Sequence, residues 1–363
     1  MIAHSLLTKT LYSAKNTSEG FLKIHTPLWL IKIFNYEYWA WWFFYIPLFP
    51  YWLWLSLKAH SFTFFTSANP GIEAGGFFGE SKIDILKLIN QKYKPKTIFI
   101  PAGHSLEHIE ENLKEQGINF PLIAKPNVGE RGFNVQKINT IDELKNYIHT
   151  TDYSDFIIQE FVDFETELGI LYYRMPDETN GKVSSVTLKE FLKVIGNGET
   201  SIHNLIQQNT RARFQLKRLK EKMGDDIWRI PQDGEEINLG VIGNHCLGTK
   251  FLNGNYLIND KLNKVFDEIA LSIEGFYYGR FDLKVKSIED LYKGENIKIM
   301  ELNGVSSDPT HIFDPDFTLV NAYRDLAAHW KIIYEISKVN CKNGTKPVSV
   351  KELLKKMKEH FYK

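Results

Sequence analysis

The sequence predicts a mixed α+β protein preceded by an aromatic segment that we expect to be helical. Residues 82–162 alternate amphipathic helical runs with short apolar strand-like runs. Residues 277–305 contain two strand-like runs joined by a polar, glycine-containing turn region, which is typical of an antiparallel hairpin. By contrast, residues 1–65 show no strand–helix alternation. Helical and strand periods in one chain favour sheets covered by helices.

The aromatic segment contains six of the eight tryptophans, between Trp29 and Trp54. No charged residue lies from Tyr38 to Leu57, a run about long enough to span a bilayer. Its two internal prolines favour two short helices instead, and Trp and Tyr prefer the headgroup interface. Three alternatives stay open: helices in a membrane interface, packing on the body as a core or a substrate groove, and a true span.

Composition narrows the function classes. The chain of 363 residues is long enough for roughly two or three compact units. Its formal net charge of zero gives no electrostatic argument for binding nucleic acid. Cys246 and Cys341 have neither metal-ligand spacing nor a disulfide framework, which indicates a reducing, cytoplasmic compartment. Residues 1–20 lack the basic-then-apolar layout of a secretory signal.

Two lysines stand beside glycine-rich stretches. Lys82 opens an amphipathic helix after the small-residue loop 66–81, and Lys125 ends a strand directly before a turn with Gly129 and Gly132. An ammonium group supplies a point charge for phosphate, and glycine lets backbone N–H groups approach the phosphate oxygens. A plain surface hairpin explains the second stretch nearly as well.

A strand over residues 155–162 runs into a short connector with Glu160 and Glu167. Such a connector offers backbone groups to an adenine edge and a carboxylate to ribose hydroxyls. Taken singly, each glutamate is better explained as a solvated surface residue.

The late hairpin carries a coherent group of polar side chains. With the strand period of two, Arg280 and Asp282 project to one face of the first strand, and Glu301 and Asn303 to one face of the second. Two carboxylates and an amide oxygen are hard ligands that suit Mg²⁺. The alternative is a solvated face, but Glu301 stands in an otherwise apolar strand, and this favours the metal.

In order, these motifs resemble the ATP-grasp superfamily of carboxylate–amine ligases, which includes D-alanine–D-alanine ligase. The resemblance covers roughly residues 75–335. In that family one lysine precedes a helix and a second stands on the strand before a glycine loop, as Lys82 and Lys125 do. The closing signature of the family, R-x-D on one strand and E-x-N on the next, is matched by Arg280, Asp282, Glu301 and Asn303.

The middle of the chain adds further matches. The family's nucleotide hinge resembles Glu160, Phe161 and Val162, with Glu167 in the ribose-binding position. The segment KEFLKVIGNGETSIHNLI is similar to one in cyanophycin synthetase-type ATP-grasp proteins, and this resemblance implies that Lys189 faces the terminal phosphate.

The resemblance implies an ATP-grasp fold, two α+β subdomains enclosing ATP, over residues 67–340. The aromatic extension would then be residues 1–66, and a basic helix residues 341–363. The implied reaction activates a carboxylate with ATP as an acyl phosphate, which an amine displaces. Mg²⁺, or Mn²⁺, would sit on Asp282, Glu301 and Asn303, and Arg280 would hold the acyl phosphate. Two alternatives remain: a phosphotransferase of the same fold, and a non-catalytic nucleotide-binding protein at a membrane.

Departures from the family leave the substrates open. D-alanine–D-alanine ligases carry a serine-rich phosphate loop, where this chain has NVGERGF, and the run GVSSDPTHIFDP follows the E-x-N motif. Because residues 1–65 show no strand–helix alternation, we expect the α/β domain that precedes the grasp fold in the family to be missing or much reduced. We therefore expect a small carboxylate and a small amine of unknown identity, with amphiphilic substrates as one option. The basic C-terminal helix is explained either as a solvated helix packed on the body or as a helix on anionic lipid; together with the aromatic segment it favours a peripheral position on the inner membrane face.

Overall fold

The computed structural model describes residues 26–129, 132–151, 154–240 and 243–361. The chain forms two compact units. The first unit comprises residues 1–44 and 190–250, and the second unit residues 45–189 and 251–363. All the predicted site residues belong to the second unit. The predicted boundaries after residues 66 and 340 stay predictions.

The aromatic segment forms short helices: α1 (Leu28–Phe34), α2 (Trp41–Tyr45) and α3 (Phe49–Lys58). Pro47 lies in a 3-10 turn before α3, and Pro50 lies in the first turn of α3, where a missing N–H breaks no helical hydrogen bond. The predicted break between two short helices is found at Pro47, whereas Pro50 lies inside α3. Among the described residues, no helix combines the length and the apolar character needed to cross a membrane.

A four-stranded antiparallel sheet lies in the second unit, with the spatial order β1-β4-β2-β3. Its strands are β1 (Thr97–Ile100), β2 (Leu122–Pro126), β3 (Gln136–Ile138) and β4 (Phe156–Glu160). Three helices alternate with them: α4 (Lys82–Leu88), α5 (Leu106–Gln116) and α6 (Ile141–Thr150). Ile109 of α5 and Leu144 of α6 are fully buried with the apolar residues of this sheet. The predicted alternation is therefore confirmed.

A five-stranded sheet in the same unit has the order β11-β10-β5-β6-β9. Its strands are β5 (Thr166–Tyr173), β6 (Lys182–Glu190), β9 (Lys250–Asn253), β10 (Tyr278–Val285) and β11 (Ile297–Asn303). Phe266, on helix α10 (Asp260–Leu271), is buried with Phe281 and Ile299 in the largest core. Helices and antiparallel sheets together confirm the α+β class.

The first unit has its own small core. Strand β7 (Lys193–Ile195) pairs with β8 (Glu236–Asn238) beside α7 (Ile202–Gln208), α8 (Thr210–Arg213) and α9 (Leu216–Met223). Glu37 forms a buried ion pair with Arg211, and the Nε2 atom of His245 lies 3.4 Å from its carboxylate. Burial alone would raise the pKa of Glu37, but His245 and Arg211 lower it.

The remaining helices are α11 (Ile288–Lys293), between β10 and β11, α12 (Leu319–Lys342) and the predicted C-terminal helix, α13 (Val350–Phe361). Leu55 of α3 and Phe64 pack with Ile333 and Tyr334 of α12 in a separate core. Part of the aromatic segment is thus internal, which agrees with one of the three alternatives. Phe49 and Leu57 of α3 remain 57% and 60% exposed.

Candidate active site

Strands β10 and β11 bring the predicted polar group together. They pair antiparallel, with Asp282 opposite Glu301 and Arg280 opposite Asn303, so the predicted hairpin is confirmed. The Asn303 side-chain amide donates to Asp282 Oδ2 over 3.0 Å, and Arg280 Nε lies 3.3 Å from the same oxygen. Gly169 of β5 lies opposite Asp282, where a Cβ would come within 3.3 Å of both Arg280 and Asp282. Glycine leaves the room that this pair needs.

Lys189 of β6 completes a buried charge cluster on this sheet. Its Nζ atom lies 3.1 Å from Glu167 Oε1 and 2.9 Å from Asp282 Oδ1, and all three side chains are at most one-tenth exposed. Burial on its own would lower the pKa of Lys189, but Asp282 and Glu167 raise it to about 12. Burial would raise the pKa of Asp282, yet Arg280 and Lys189 hold it below its usual value. Lys189 is thus a permanent cation.

Lys125 connects the two sheets of the second unit. Its ammonium donates to Gln159 Oε1 over 3.2 Å and to the main-chain oxygen of Met300 over 3.1 Å. The register between β10 and β11 shifts just beside Met300, and such a bulge leaves backbone groups outside the ladder. Burial lowers the pKa of Lys125 to about 8, although the nearby Glu301 opposes this shift. Lys125 is therefore a buried cation whose charge is sensitive to a new anion.

Lys82 lies at the start of α4, beside the glycine loop. Its Nζ atom donates to the main-chain oxygen of Gly129 over 2.5 Å. The side chain of Asn127 accepts from the Ile83 amide over 3.0 Å and so fixes the loop against the helix start. Gly129 and Gly132 have φ angles of +151° and +71°, which other residues rarely adopt. The residues between them lie outside the described chain.

The predicted hinge lies at the end of β4. The Phe161 ring has Lys137 Nζ at 3.9 Å from its centroid and Lys284 Nζ at 5.5 Å. Lys284 also donates to the main-chain oxygen of Val162 over 3.1 Å. A surface cavity of about 430 Å³ is lined in part by Glu160, Phe161 and Lys137. The predicted hinge residues Glu160 and Phe161 thus lie at a cavity whose charged lining residues are Lys137, Glu160 and Asp163.

The oxygen atoms of Asp282, Glu301 and Asn303 fit a hard divalent cation. The Asp282 carboxylate is buried, and Lys189 Nζ lies 2.9 Å from its Oδ1 atom. Within the described parts of the chain, no cluster of three or more His, Cys, Asp or Glu side chains is placed to hold a metal. Two carboxylates with an amide need ligands from elsewhere, such as phosphate and water, which is how Mg²⁺ is usually held beside nucleotides.

Sequence reasoning missed Asn69, which ties the small-residue loop to β10. Its amide nitrogen donates to the main-chain oxygens of Gly75 and Tyr278 over 2.9 and 2.8 Å. Its Oδ1 atom accepts from the amides of Tyr277 and Tyr278 over 2.8 and 2.9 Å. The only local signal is Asn-Pro-Gly, which predicts a turn but no partner. Asn69 positions the strand that carries Arg280 and Asp282.

A second missed feature is a buried polar network beside the five-stranded sheet. His311 Nε2 donates to Asp325 Oδ2 over 3.1 Å, and its Nδ1 atom accepts from the Ser185 hydroxyl over 2.7 Å. His329 Nδ1 donates to the Asp325 main-chain oxygen over 2.7 Å, and its Nε2 atom accepts from Ser184 over 3.0 Å. Burial lowers the pKa of both histidines. These partners suit neutral imidazoles.

The α+β architecture and the ordered motifs are those of a chain similar to the ATP-grasp carboxylate–amine ligases. No protein-family model matches the chain. A coenzyme gamma-F420-2:alpha-L-glutamate ligase from Methanococcus maripaludis is 27% identical over 161 residues, which are 43% of this chain and 54% of that protein. The chain thus spans about half the length of this curated relative.

Solved structures give the same class of neighbour. The D-Ala:D-Ser ligase VanG from Enterococcus faecalis has a TM-score of 0.43 and 16% identity, covering 73% of this chain and 62% of that one. A D-alanine–D-alanine ligase from Bacillus anthracis has a TM-score of 0.42 and 15% identity, covering 73% and 69%. A bifunctional glutathione synthetase from Pasteurella multocida has a TM-score of 0.36 and 13% identity, and the match covers 73% of this chain and 38% of that one. The sequence match to the ligase from Methanococcus maripaludis bears out the resemblance read from the motifs.

Proposed function

We propose that this protein is an ATP-dependent ligase that activates a carboxylate as an acyl phosphate and couples it to an amine, forming ADP and phosphate. The observation that carries the proposal is the buried row of alternating charges Lys189, Asp282 and Arg280, with Glu301 opposite Asp282. Because the cations of this row are already buried, a phosphate group can bind there without another cation having to move into the core. The names of the similar proteins support the same reaction class.

The chemical difficulty is that two anions, the phosphates of ATP and the substrate carboxylate, must approach each other. Lys82, Lys125 and Lys189 supply fixed positive charge for the phosphates, and Arg280 holds the acyl phosphate and the tetrahedral oxyanion that follows. Preorganised donors of this type contribute about 3 to 4 kcal/mol each to transition-state stabilisation. Burial lowers the pKa of Lys125 to about 8, and the negative charge of a phosphate beside it would raise that pKa again.

Asp282, Glu301 and Asn303 would hold Mg²⁺, or Mn²⁺, which when bound neutralises charge on the phosphate oxygens. For the nucleoside, the backbone at Glu160, Phe161 and Val162 would face the adenine. Glu167 would accept from the ribose hydroxyls once Lys189 turns from it to phosphate. The Phe161 ring offers an apolar face at the cavity.

The test is ATP turnover by an Asp282→Asn variant. ADP release is measured with Mg²⁺ and a panel of the standard L-amino acids, D-alanine and D-serine, and mass spectrometry identifies the product. We expect wild-type ADP release that depends on the panel, and a loss of at least about 100-fold in the variant. The control is Asp84→Asn, whose carboxylate on α4 is 67% exposed.

Circular dichroism is used to check that both variants fold. Unchanged turnover in Asp282→Asn would remove the assignment of the metal and of the reaction centre. An amide product supports the ligase, whereas a phosphorylated carboxylate or hydroxyl product that accumulates supports the phosphotransferase alternative.

We also propose that the protein works inside the cell at the inner membrane surface, where amphiphilic substrates are found. Phe49, Leu57 and Phe62 are 57%, 60% and 52% exposed. Lys58 lies 4.3 Å above the Trp54 ring, an arrangement that suits the headgroup region. The basic helix α13 begins close by, because the residue two positions before it, Val348, is hydrogen-bonded to Thr63 and Thr66. Both cysteines are free, which fits a reducing compartment.

Vesicle sedimentation tests the membrane proposal. We expect the protein to sediment with vesicles of phosphatidylglycerol and phosphatidylethanolamine more than with phosphatidylcholine alone, because lysines add attraction to anionic lipid. The triple variant Phe49→Ser, Leu57→Ser, Phe62→Ser should lose most of this binding. Val320→Ser, at a residue that is 78% exposed on α12, is the control. Equal sedimentation of the triple variant and the wild type would contradict the proposal.

A further inference from the structure

The row of alternating charges continues beyond Arg280 to a carboxylate. Arg280 Nη1 donates to the main-chain oxygen of Asp308 over 3.2 Å, and the guanidinium acts electrostatically on the Asp308 carboxylate. The Tyr45 hydroxyl donates to that carboxylate. Tyr45 ends α2, so it comes from the aromatic segment, and its ring stacks on Trp330 of α12 with centroids 6.5 Å apart. Two distant parts of the chain thus meet beside the proposed acyl-phosphate position.

The backbone before Asp308 is held in place by the small-residue loop. The amides of Val305 and Ser306 donate to the main-chain oxygens of Gly75 and Gly76 over 3.1 and 3.2 Å. A Cβ on Gly76 would lie 2.6 Å from the Cα of Gly304, so the two backbones touch. The backbone that leads to Asp308 is therefore held by main-chain contacts with the small-residue loop.

Among the described residues, no lysine, arginine or histidine forms a salt bridge with the Asp308 carboxylate. The Arg280 guanidinium has Asp282 at 3.3 Å, whereas the hydrogen-bond partner of the Asp308 side chain is a neutral phenol. Burial raises the pKa of Asp308, while the Tyr45 hydrogen bond and Arg280 lower it in part. A half-buried carboxylate with a raised pKa is both an anchor for a cation and a better base than an exposed one.

Resting on the proposed function, we infer that Asp308 and Tyr45 form the acceptor subsite, which binds the ammonium group of the amine substrate. Asp308 is the catalytic residue of this subsite and Tyr45 its positioning residue. The ammonium binds to the Asp308 carboxylate and loses one proton to water. The neutral nitrogen then attacks the acyl carbon, so a C–N bond forms. The C–O bond to phosphate breaks, its electron pair leaves with phosphate, and the second nitrogen proton passes to Asp308.

Hydroxylamine separates this step from carboxylate activation. It is uncharged at neutral pH and converts an acyl phosphate to a hydroxamate, so it needs neither a carboxylate anchor nor a base. The full-length protein is given ATP, Mg²⁺ and the standard L-amino acids with D-alanine and D-serine, with and without hydroxylamine. In Asp308→Asn we expect hydroxamate formation within about twofold of wild type, and amide formation at least about 100-fold lower. Asp316→Asn, at an exposed position in the same segment, should change neither.

Tyr45→Phe tests the positioning role. Loss of its hydrogen bond raises the pKa of Asp308. The acid limb of the pH profile for amide formation should therefore move to higher pH, whereas the pH profile for hydroxamate formation should stay unchanged. If Asp308→Asn makes amide as fast as wild type, or loses both products equally, the acceptor subsite is wrong and the ligase proposal stands. If the wild type forms neither hydroxamate nor amide, the proposed function itself fails, and the subsite with it.

Discussion

At the scale of single residues, the geometry of the proposed site depends on side chains outside the group of predicted site residues. Asn69 is fully buried, and its amide makes four hydrogen bonds to main-chain groups, two of them on Tyr278 of β10. An aspartate would lack the donors, and a serine would lack the reach. The residue therefore fixes where β10 starts, and with it the positions of Arg280 and Asp282.

We predict that Asn69→Ala destabilises the protein by about 3 kcal/mol, because buried main-chain groups lose their partners without gaining water. Urea unfolding followed by circular dichroism measures the change. Asn146→Ala, at an exposed position on α6, is the matched control and should change the free energy of unfolding by less than about 0.5 kcal/mol. Equal effects of the two substitutions would show that the Asn69 hydrogen bonds contribute little.

At the scale of elements, the local sequence pattern predicts which side chains share a face wherever the strand period of two holds. The period of two placed Asp282 and Glu301 on one face, and the observed register sets them opposite each other. The bulge at Met300 interrupts this alternation, because one extra residue shifts the period of two by one position: Ile297 and Ile299 are buried before it and Leu302 after it. Helix α11, inside the predicted turn, did have a signal: Ser287 caps it and Gly294 ends it with a φ of +68°.

Contacts between distant elements could not be predicted, because nothing local encodes a partner. Tyr45 and Asp308 are 263 positions apart, and each stands in a run that reads as a loop or an aromatic helix. The hinge at Phe161 stays a prediction that rests on the resemblance to a family, and the sequence did not indicate the two cations around its ring, Lys137 and Lys284. Motif order thus predicts which residues gather, while their pairing depends on tertiary packing.

At the scale of the whole molecule, the second unit joins its last long helix to the five-stranded sheet through uncharged imidazoles. His311 and His329 are 1% and 6% exposed, and both are hydrogen-bonded to Asp325 of α12 and to serines of β6. In the unfolded chain a histidine takes up a proton near pH 6.5. In the folded protein burial lowers the pKa of both, so the unfolded state binds more protons as the solution becomes acidic.

The free energy of unfolding should therefore fall as the pH drops from about 7.5 through 6.5 toward 5, by up to about 1.4 kcal/mol per pH unit for each histidine. Carboxylates with lowered pKa, such as Asp282, lose their contribution only at lower pH, whereas the raised pKa of Asp308 acts in the opposite direction. The difference between wild type and His329→Gln isolates one imidazole, because glutamine keeps a donor and an acceptor but does not titrate in this range. We expect urea unfolding of this variant to show a shallower pH dependence, and His108→Gln, at an exposed position on α5, to show the wild-type slope. Identical slopes for all three proteins would mean that His329 is charged in the folded state or contributes nothing to its stability.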